Sequence, residues 1–388
     1  MAMEELRMKQ SKWVLALMLS VALMATVWPG EADAAGKPVT VTHNNGEVEL
    51  QNPPILQNGT TQLPLREIGN LLNSKTTWIP EGKRIVITNP QARIELALGS
   101  KQAKVNGKNV ELRTVPYNKN GVVYVPVRFI SEAFGAQVDW HEKERRVNIT
   151  METKYIYTTQ DATSYWLEKT NGKLYSASNA DSAKLIADTK AEVLGSSEFT
   201  VESLSANVHV LQVYDSFGEP GFNNVIYKLV IANQKLTLET RTFYYWHPNN
   251  NIERSANNNA LLIDGATLYE MNLEGELVGK HDLKALTGYE DKDYQVEWFD
   301  DNYMVVRPER TGWLTLVDRN TKETTLLAEA VLDEETWGIF QSLEKIGYEF
   351  SRWDGLKVVE IKDNKLILAH YLFIDNVITQ YVFDLSNQ

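Results

Sequence analysis

The chain of 388 residues has no cysteine. That absence excludes disulfides, thiol nucleophiles, Cys-based zinc sites and a lipid-bearing cysteine behind an export signal. Histidine is scarce as well. No two of His43, His141, His209, His247, His281 and His370 stand within one helical turn, so the His-Glu-x-x-His pattern of metallohydrolases is missing. The Gly-x-Ser-x-Gly elbow of serine hydrolases is also absent. The stretch nearest to a phosphate loop, Gly275 to His281, is one residue short between its glycines and lacks Ser or Thr after Lys280; it reads as a hairpin turn. Acidic clusters at Glu290, Asp291 and Asp293, at Asp300 and Asp301, and at Asp333 to Glu335 lack the Gly-punctuated spacing of a calcium loop. They read as solvated surface, and the sequence calls for no metal and no cofactor.

Long apolar runs are missing too, except at the amino terminus. Residues 1–34 read as an export signal: Arg7, Lys9 and Lys12 are its positive part, Val14 to Thr26 its apolar part, and Ala32-Asp33-Ala34 its cleavage pattern. The apolar run falls short of the ~20 residues a membrane span needs, and an uncleaved anchor is the alternative reading. Charge is divided unevenly along the rest. Residues 35–153 carry 15 Lys and Arg against 11 Asp and Glu, a balance of +4, and residues 154–388 carry 21 against 36, a balance of −15. A mildly basic part suits contact with anionic cell-wall polymers; the acidic part is unsuited to nucleic acid, which demands a basic face. Charge that merely keeps the chain soluble is the plainer reading.

What is present first is a repeat, which decides the fold before anything else. Asn120 to Thr150 laid on Asn58 to Thr88, a shift of 62 positions, matches at nine places without a gap. The identical pairs include Pro64/Pro126, Arg66/Arg128 and Trp78/Trp140. Each copy reads as turn, strand, helix, strand. Asn-Gly supplies a tight turn because Gly reaches positive φ freely. Pro64 and Pro126 suit a first helical residue. Val127, Ile130, Ala133 and Phe134 recur at helical spacing, and Gly135, with Asn73 as its counterpart, ends the helix in a left-handed residue.

With its VNGK turn (Val105 to Lys108), its Asn-Gly turn, VPVRFISEAFGAQVDW and the closing VNIT strand, the segment 37–153 resembles the copper amine oxidase N-terminal-like, or stalk, domain of bacterial surface proteins. The resemblance implies a small module of sheet wrapped on helix, used as a spacer or attachment unit on exported proteins of Gram-positive bacteria. It does not imply amine oxidation. The oxidase's quinone-forming motif is absent, since Asn302 and Tyr303 are followed by Met304 and Val305.

From Lys154 onward the pattern is strand, polar turn, strand. It recurs from Leu174, Ile226, Leu268 and Leu314, with a truncated fifth version from Gln380. Near-regular spacing of this kind predicts a β-propeller-like domain, with a β-sandwich as the alternative. Lys154 to Thr159 is expected to complete the last copy and close the ring. One short helix is expected over Asp333 to Lys345. The fold class is therefore mainly β with a small α+β amino-terminal module: a tandem strand-helix-strand repeat (58–88 and 120–150) within residues 35–153, then a β-rich domain over 154–388.

The surface stretch with most chemistry in it is Phe243 to His247, followed by two triple-Asn runs. Aromatic faces beside amides suit flat, polar ligands, which makes Tyr245, Trp246 and His247 candidate ligand contacts. Strand alternation offers a structural reading, with Tyr244 and Trp246 in the core and the Asn runs as a polar rim loop. Taken together these features predict a secreted, non-catalytic cell-surface protein. Its stalk-like module meets cell-wall polymer and presents a domain that binds a ligand or partner. The competing expectation is a secreted polysaccharide hydrolase whose acidic pair lies in the β domain.

Overall fold

The structure, a computed structural model, describes residues 38–219, 222–245, 249–345, 353–371 and 378–387. The export-signal reading of residues 1–34 lies outside them. The chain is mostly β and its contacts divide it into two compact units.

The first unit takes the chain up to Ile68 and resumes over Arg113–Met151. Strand Thr60–Pro64 lies antiparallel to Val122–Pro126, flanked by Ile55–Gln57 and Tyr117–Lys119. A second sheet places Thr40–His43 parallel to Arg146–Thr150, which pairs in turn with Gln137–His141. The expected turns form. Asn58-Gly59 and Asn120-Gly121 all have positive φ, from 50° to 85°. Helix Val127–Ala133 ends at Gly135 with φ 80°, and its equivalent Leu65–Leu71 ends at Asn73 with φ 45°. Both ends close on the same backbone bond, Ala136 N to Ser131 O and Ser74 N to Gly69 O, each 2.9 Å. One detail differs from expectation. Pro126 (φ −65°, ψ 111°) is the last strand residue and caps the helix, which begins at Val127; Pro64 likewise ends its strand. Proline's fixed φ suits either role, and an extended ψ decides for the strand.

The second unit comprises Gly69–Leu112 and the chain from Glu152 onward. It opens with a five-stranded sheet of Lys75–Ile79, Arg84–Thr88, Arg93–Ala97, Gln102–Val105 and Lys108–Glu111 in sequence order. Five antiparallel meander sheets follow. The first holds Tyr155–Gln160, Thr163–Glu168, Lys173–Ser178 and Lys184–Asp188; the second Ser196–Ser205, Val208–Phe217, Asn223–Ala232 and Lys235–Tyr245. The third holds Ala260–Asp264, Thr267–Met271 and Leu277–Asp282; the fourth Tyr294–Phe299, Tyr303–Pro308, Thr315–Asp318 and Thr324–Leu326. The fifth, among the described residues, holds Leu356–Lys362, Lys365–Tyr371 and Ile378–Asp384. The repeated hairpins of the sequence are the last two strands of the first four meanders, and the truncated version is the last strand of the fifth.

Apolar cores lie between consecutive meanders. Tyr165, Leu167 and Leu174 of the first meet Leu211, Val213 and Tyr227 of the second. Val208 and Val230 meet Leu262 and Met271, Ile263 and Leu268 meet Val296 and Met304, and Leu314 and Leu316 meet Leu366 and Leu368. Each sheet thus buries a face on the next, at roughly 25 cal/mol per Å² of apolar surface removed from water.

The expected ring closure does not occur in the described form. Tyr155–Gln160 pairs with Thr163–Glu168, from Tyr155↔Glu168 to Gln160↔Thr163, so this segment starts the first meander and does not complete the fifth. A two-residue turn makes that local hairpin far easier to close than a pairing with the chain's end. The opposite face of the first meander is fastened to the five-stranded sheet. Trp166 is fully buried and donates Nε1 to Asn73 O at 2.7 Å. Lys75 Nζ donates to Ala177 O at 3.2 Å, Thr77 Oγ1 to Asn179 O at 3.0 Å and Arg93 Nε to Ala180 O at 2.9 Å.

The helix expected over Asp333 to Lys345 forms as Glu334–Lys345; Asp333 caps it by accepting from Thr336 N at 2.8 Å. Among the described residues no helix is long and apolar enough to cross a membrane.

Candidate functional site

The first two meanders turn at the same end, and a cleft of about 420 Å³ opens there. Its rim is made of hairpin turns: Asn179 N donates to Ala162 O across one sheet, and Asn233 N to Asn207 O across the other, both at 2.9 Å. Its floor is the point where the core between the two sheets reaches the surface. Tyr165 and His209, both buried, project from facing sheets, with the Tyr165 hydroxyl 2.7 Å from His209 Nδ1 and the rings edge to face at 5.7 Å. Burial pushes the Tyr165 phenol up to about 12 and holds His209 below its ordinary value against the opposing charge of Asp161. Both are therefore neutral near pH 7. Asn179, Asn207, Asn233 and Gln234 line the mouth, and the lining carries no Asp, Glu, Lys or Arg. In a domain with a charge balance of −15 that is a local exception.

The stretch singled out in the sequence fares differently. Trp246 and His247 lie outside the described residues. Tyr244 is fully buried, as strand alternation requires, and donates its hydroxyl to Tyr294 O at 2.9 Å. Tyr245 is half-buried, edge-on to Phe222 at 6.3 Å, and is not in the lining of the Tyr165–His209 cleft. The first triple-Asn run is not a free rim loop. Asn251 donates to the Tyr244 hydroxyl at 2.8 Å and accepts from Val296 N at 2.8 Å, while Asn250 N reaches Gln295 Oε1 at 2.9 Å. Of the repeat residues, Pro64 is buried, and Arg66 and Arg128 are exposed; Trp78 is exposed and Trp140 half-buried, its Nε1 donating to Glu142 Oε2.

Carboxylates in the second unit largely serve the backbone. Three acids on separate segments take alternate N–H groups along the outer edge of Lys235–Tyr245. Asp264 accepts from Arg241 N at 3.1 Å, Asp293 from Phe243 N at 3.0 Å and Glu309 from Tyr245 N at 2.5 Å. They occupy an edge that would otherwise be open to pairing. Burial raises Glu309 to about 8, with the Asp293 charge adding to it, and raises Asp293 as well. The acidic clusters expected at the surface are partly inside: Asp291 is buried on Arg310 N and on Thr311 N at 2.5 and 2.8 Å. A further pair, Glu297 and Asp354, is fully buried around Arg307, at 3.0 and 2.8 Å. Among the described residues no group of three His, Asp or Glu side chains is placed to hold a metal ion.

In the amino-terminal repeat both copies fold the same hairpin. Lys75↔Thr88 through Ile79↔Arg84 corresponds, 62 positions on, to Gln137↔Thr150 through His141↔Arg146. Residues 42–149 match the copper amine oxidase N-terminal domain. This match covers the repeat that carries the resemblance and leaves the meander sheets of the second unit without an assigned family. No curated protein matches the chain. Among solved structures, a protein of unknown function from Bacteroides caccae is similar at 10% identity over 74% of this chain and 85% of that one, with a TM-score of 0.21. A puromycin-hydrolyzing peptidase of Mycobacterium tuberculosis is similar at 11% identity over 81% of this chain and 46% of that one (TM-score 0.25). Kluyveromyces lactis Hsv2p gives 9%, 78%, 95% and 0.19. These likenesses are too slight to assign a fold or an activity.

Tyr165 and His209 were not singled out by the sequence. They sit on strands 44 positions apart, and their meeting depends on which faces of two sheets come together. The one local sign is Asn233-Gln234, a turn with φ 50° and 62° that keeps a Gln where the Asn58, Asn106 and Asn120 turns use Gly.

Proposed function

We propose that this is an exported, non-catalytic cell-surface or wall-associated protein. Its copper amine oxidase N-terminal-like module is the stalk, and the meander sheets form the part that binds a ligand or partner. The uncharged Tyr165–His209 cleft is the observation that carries this reading. It is a concave site with an aromatic floor and convergent neutral polar groups, at a volume within the roughly 300–1,000 Å³ of small-molecule sites. The match over residues 42–149 supports the stalk, and the +4 balance of residues 35–153 suits an anionic wall polymer.

Burial holds Glu297, Glu309 and Asp293 above their ordinary values; Glu297 is already paired with Arg307, and the hydrolase reading draws on Glu309 and Asp293. Against it, each already accepts from a backbone N–H of the neighbouring edge strand and neither lines the cleft. Incubating the mature chain with purified Gram-positive cell walls over a salt series tests both readings. Salt-sensitive retention without new reducing ends is expected, and a variant with Lys101, Lys104 and Lys108 changed to Gln is retained less. Release of reducing sugar would replace this proposal with the hydrolase.

A further inference from the structure

We infer that the cleft between the first two meanders binds a neutral, hydroxyl-rich ligand, a saccharide unit of uncharged sugars, through Gln234 and Asn207 at its mouth and His209 at its floor. The inference rests on the reading of this unit as a binding domain and adds the class of ligand.

The amide groups of the site are uncommitted, whereas its hydroxyls are paired within the lining, Thr163 with Ser178 at 3.0 Å and Tyr165 with His209 at 2.7 Å. Elsewhere in the same unit amide side chains are spent on the fold: Asn251 on Tyr244 and Val296, Asn259 on Glu270, Asn272 on Glu276. Among the described residues the side-chain amides of Asn179, Asn207, Asn233 and Gln234 have no hydrogen-bond partner, though all four surround one opening. An amide offers two donors and an acceptor, which matches a sugar hydroxyl that both donates and accepts. His209 uses Nδ1 on Tyr165, which leaves Nε2 as the ring's second polar atom in the lining.

Gln234 points the same way by its backbone. It stands at φ 62°, a region that costs an L-residue on the order of 1–2 kcal/mol and that Gly enters freely. A Gln side chain kept there, at the mouth of a cleft, is the kind of outlier that marks use.

Charge selects among ligands. Without a cationic side chain in the lining, and with an acidic domain around it, phosphate or carboxylate groups are repelled; without an acidic one in the lining, an ammonium finds no direct ion-pair partner there. A neutral ligand with hydroxyls for the amides at the mouth is what remains.

The test is a calorimetric and 1H–15N NMR titration of the mature full-length chain with cellotetraose and the N-acetylglucosamine tetramer, and with the galacturonic acid tetramer and the glucosamine tetramer as charged controls. Saturable binding of at least one neutral probe is expected, with shifts confined to the turns of the first two meanders. Gln234→Gly and Asn207→Ala each weaken it about fivefold, the net contribution of one neutral hydrogen bond. Gln234→Gly does so without lowering Tm, which separates lost contact from lost fold. No response to either neutral probe overturns the inference, as does binding that both variants leave intact or equal binding of the charged tetramers. Retention on cell walls, read on the same protein, is a separate outcome: a chain that is retained but blind to these sugars loses the ligand class and keeps the binding role.

Discussion

Leu63 and Val125 occupy the same place in the two repeats and are also paired with each other across the antiparallel strands Thr60–Pro64 and Val122–Pro126. Around them Gln62 pairs with Pro126 and Pro64 with Tyr124, so the repeat is related to itself by a local two-fold that passes through this pair. Both residues are fully buried. Duplication followed by pairing of the duplicated strand is the simplest physical account of why two units with little core of their own are found together.

The helix ends of the repeat give the first prediction. Gly135 at φ 80° has Asn73 as its counterpart at φ 45°. Ala tolerates neither angle well, so Gly135→Ala should lower stability by about 1 kcal/mol. Urea unfolding of the purified chain of residues 35–388 measures it, and an unchanged midpoint would show that the helix end relaxes at no cost.

Arg307 gives the second. It is fully buried with Glu297 and Asp354, and also donates to Gly312 O at 2.6 Å and Leu356 O at 2.5 Å, which ties the fourth meander to the fifth. Burial pushes the Glu297 carboxyl up against the pull of Arg307. Arg307→Ala leaves two carboxyls in the interior without their cation and should destabilise by about 3–5 kcal/mol. Changing all three to apolar residues of similar volume should recover most of that loss. Equal midpoints for Arg307→Ala and the parent chain would contradict the account.

How much of this was legible beforehand follows the range of each interaction. The Asn-Gly turns, the helix closed by Gly135 and the meander hairpins depend on neighbours within a few residues, and the sequence states them directly. The helix over Glu334–Lys345 is likewise local, declared by Asp333 and by Trp337 and Phe340 on one face. Lys154 to Thr159 carries the alternation of a strand but no mark of its partner, and the segment pairs with the adjacent Thr163–Glu168 in place of the distant last strand. The acids of the second unit read as surface for a related reason. Composition counts Asp264, Asp293 and Glu309, but only the folded edge of Lys235–Tyr245 reveals that they substitute for a neighbouring strand's carbonyls. The Tyr165–His209 floor was invisible, since it requires two sheets to be superposed.

Those edge acids give a pH dependence. The folded chain holds Glu309 protonated up to about pH 8 by burial, against an ordinary value of 4.5. Between these limits the unfolded chain has lost a proton that the folded chain keeps, so stability falls as pH rises through the window and levels off above it. Asp293, also raised, adds to the fall in the same direction. Lys75 and the buried histidines, lowered by burial, contribute with the opposite sign, so the check is the difference between the parent and Glu309→Gln: from about pH 5 to about pH 9 the parent's urea midpoint should fall relative to the variant's, which should exceed it at the alkaline end. A difference that is flat or moves in the parent's favour over this range would reverse the assignment.

The last prediction concerns the join at residues 153 and 154, where the basic part of the sequence gives way to the acidic one. Trp166 is fully buried, with Tyr157 beside it at 5.3 Å, and its indole donates to Asn73 O from the segment that opens the five-stranded sheet. Lys75 lies in the same seam, lowered to about 8 by burial, and donates to the carbonyls of Ala162 and Ala177. A fragment of residues 154–388 removes all of these partners and leaves an apolar face in water. It should show red-shifted tryptophan fluorescence and a lower unfolding midpoint than the chain of residues 35–388, and a tendency to associate through that face. In the intact chain Trp166→Phe should reproduce part of the loss, about 1–3 kcal/mol, because it strands the Asn73 carbonyl without a donor. If the fragment matches the longer chain in both midpoint and emission, the seam contributes nothing to stability, and the first meander stands without the sheet that covers it.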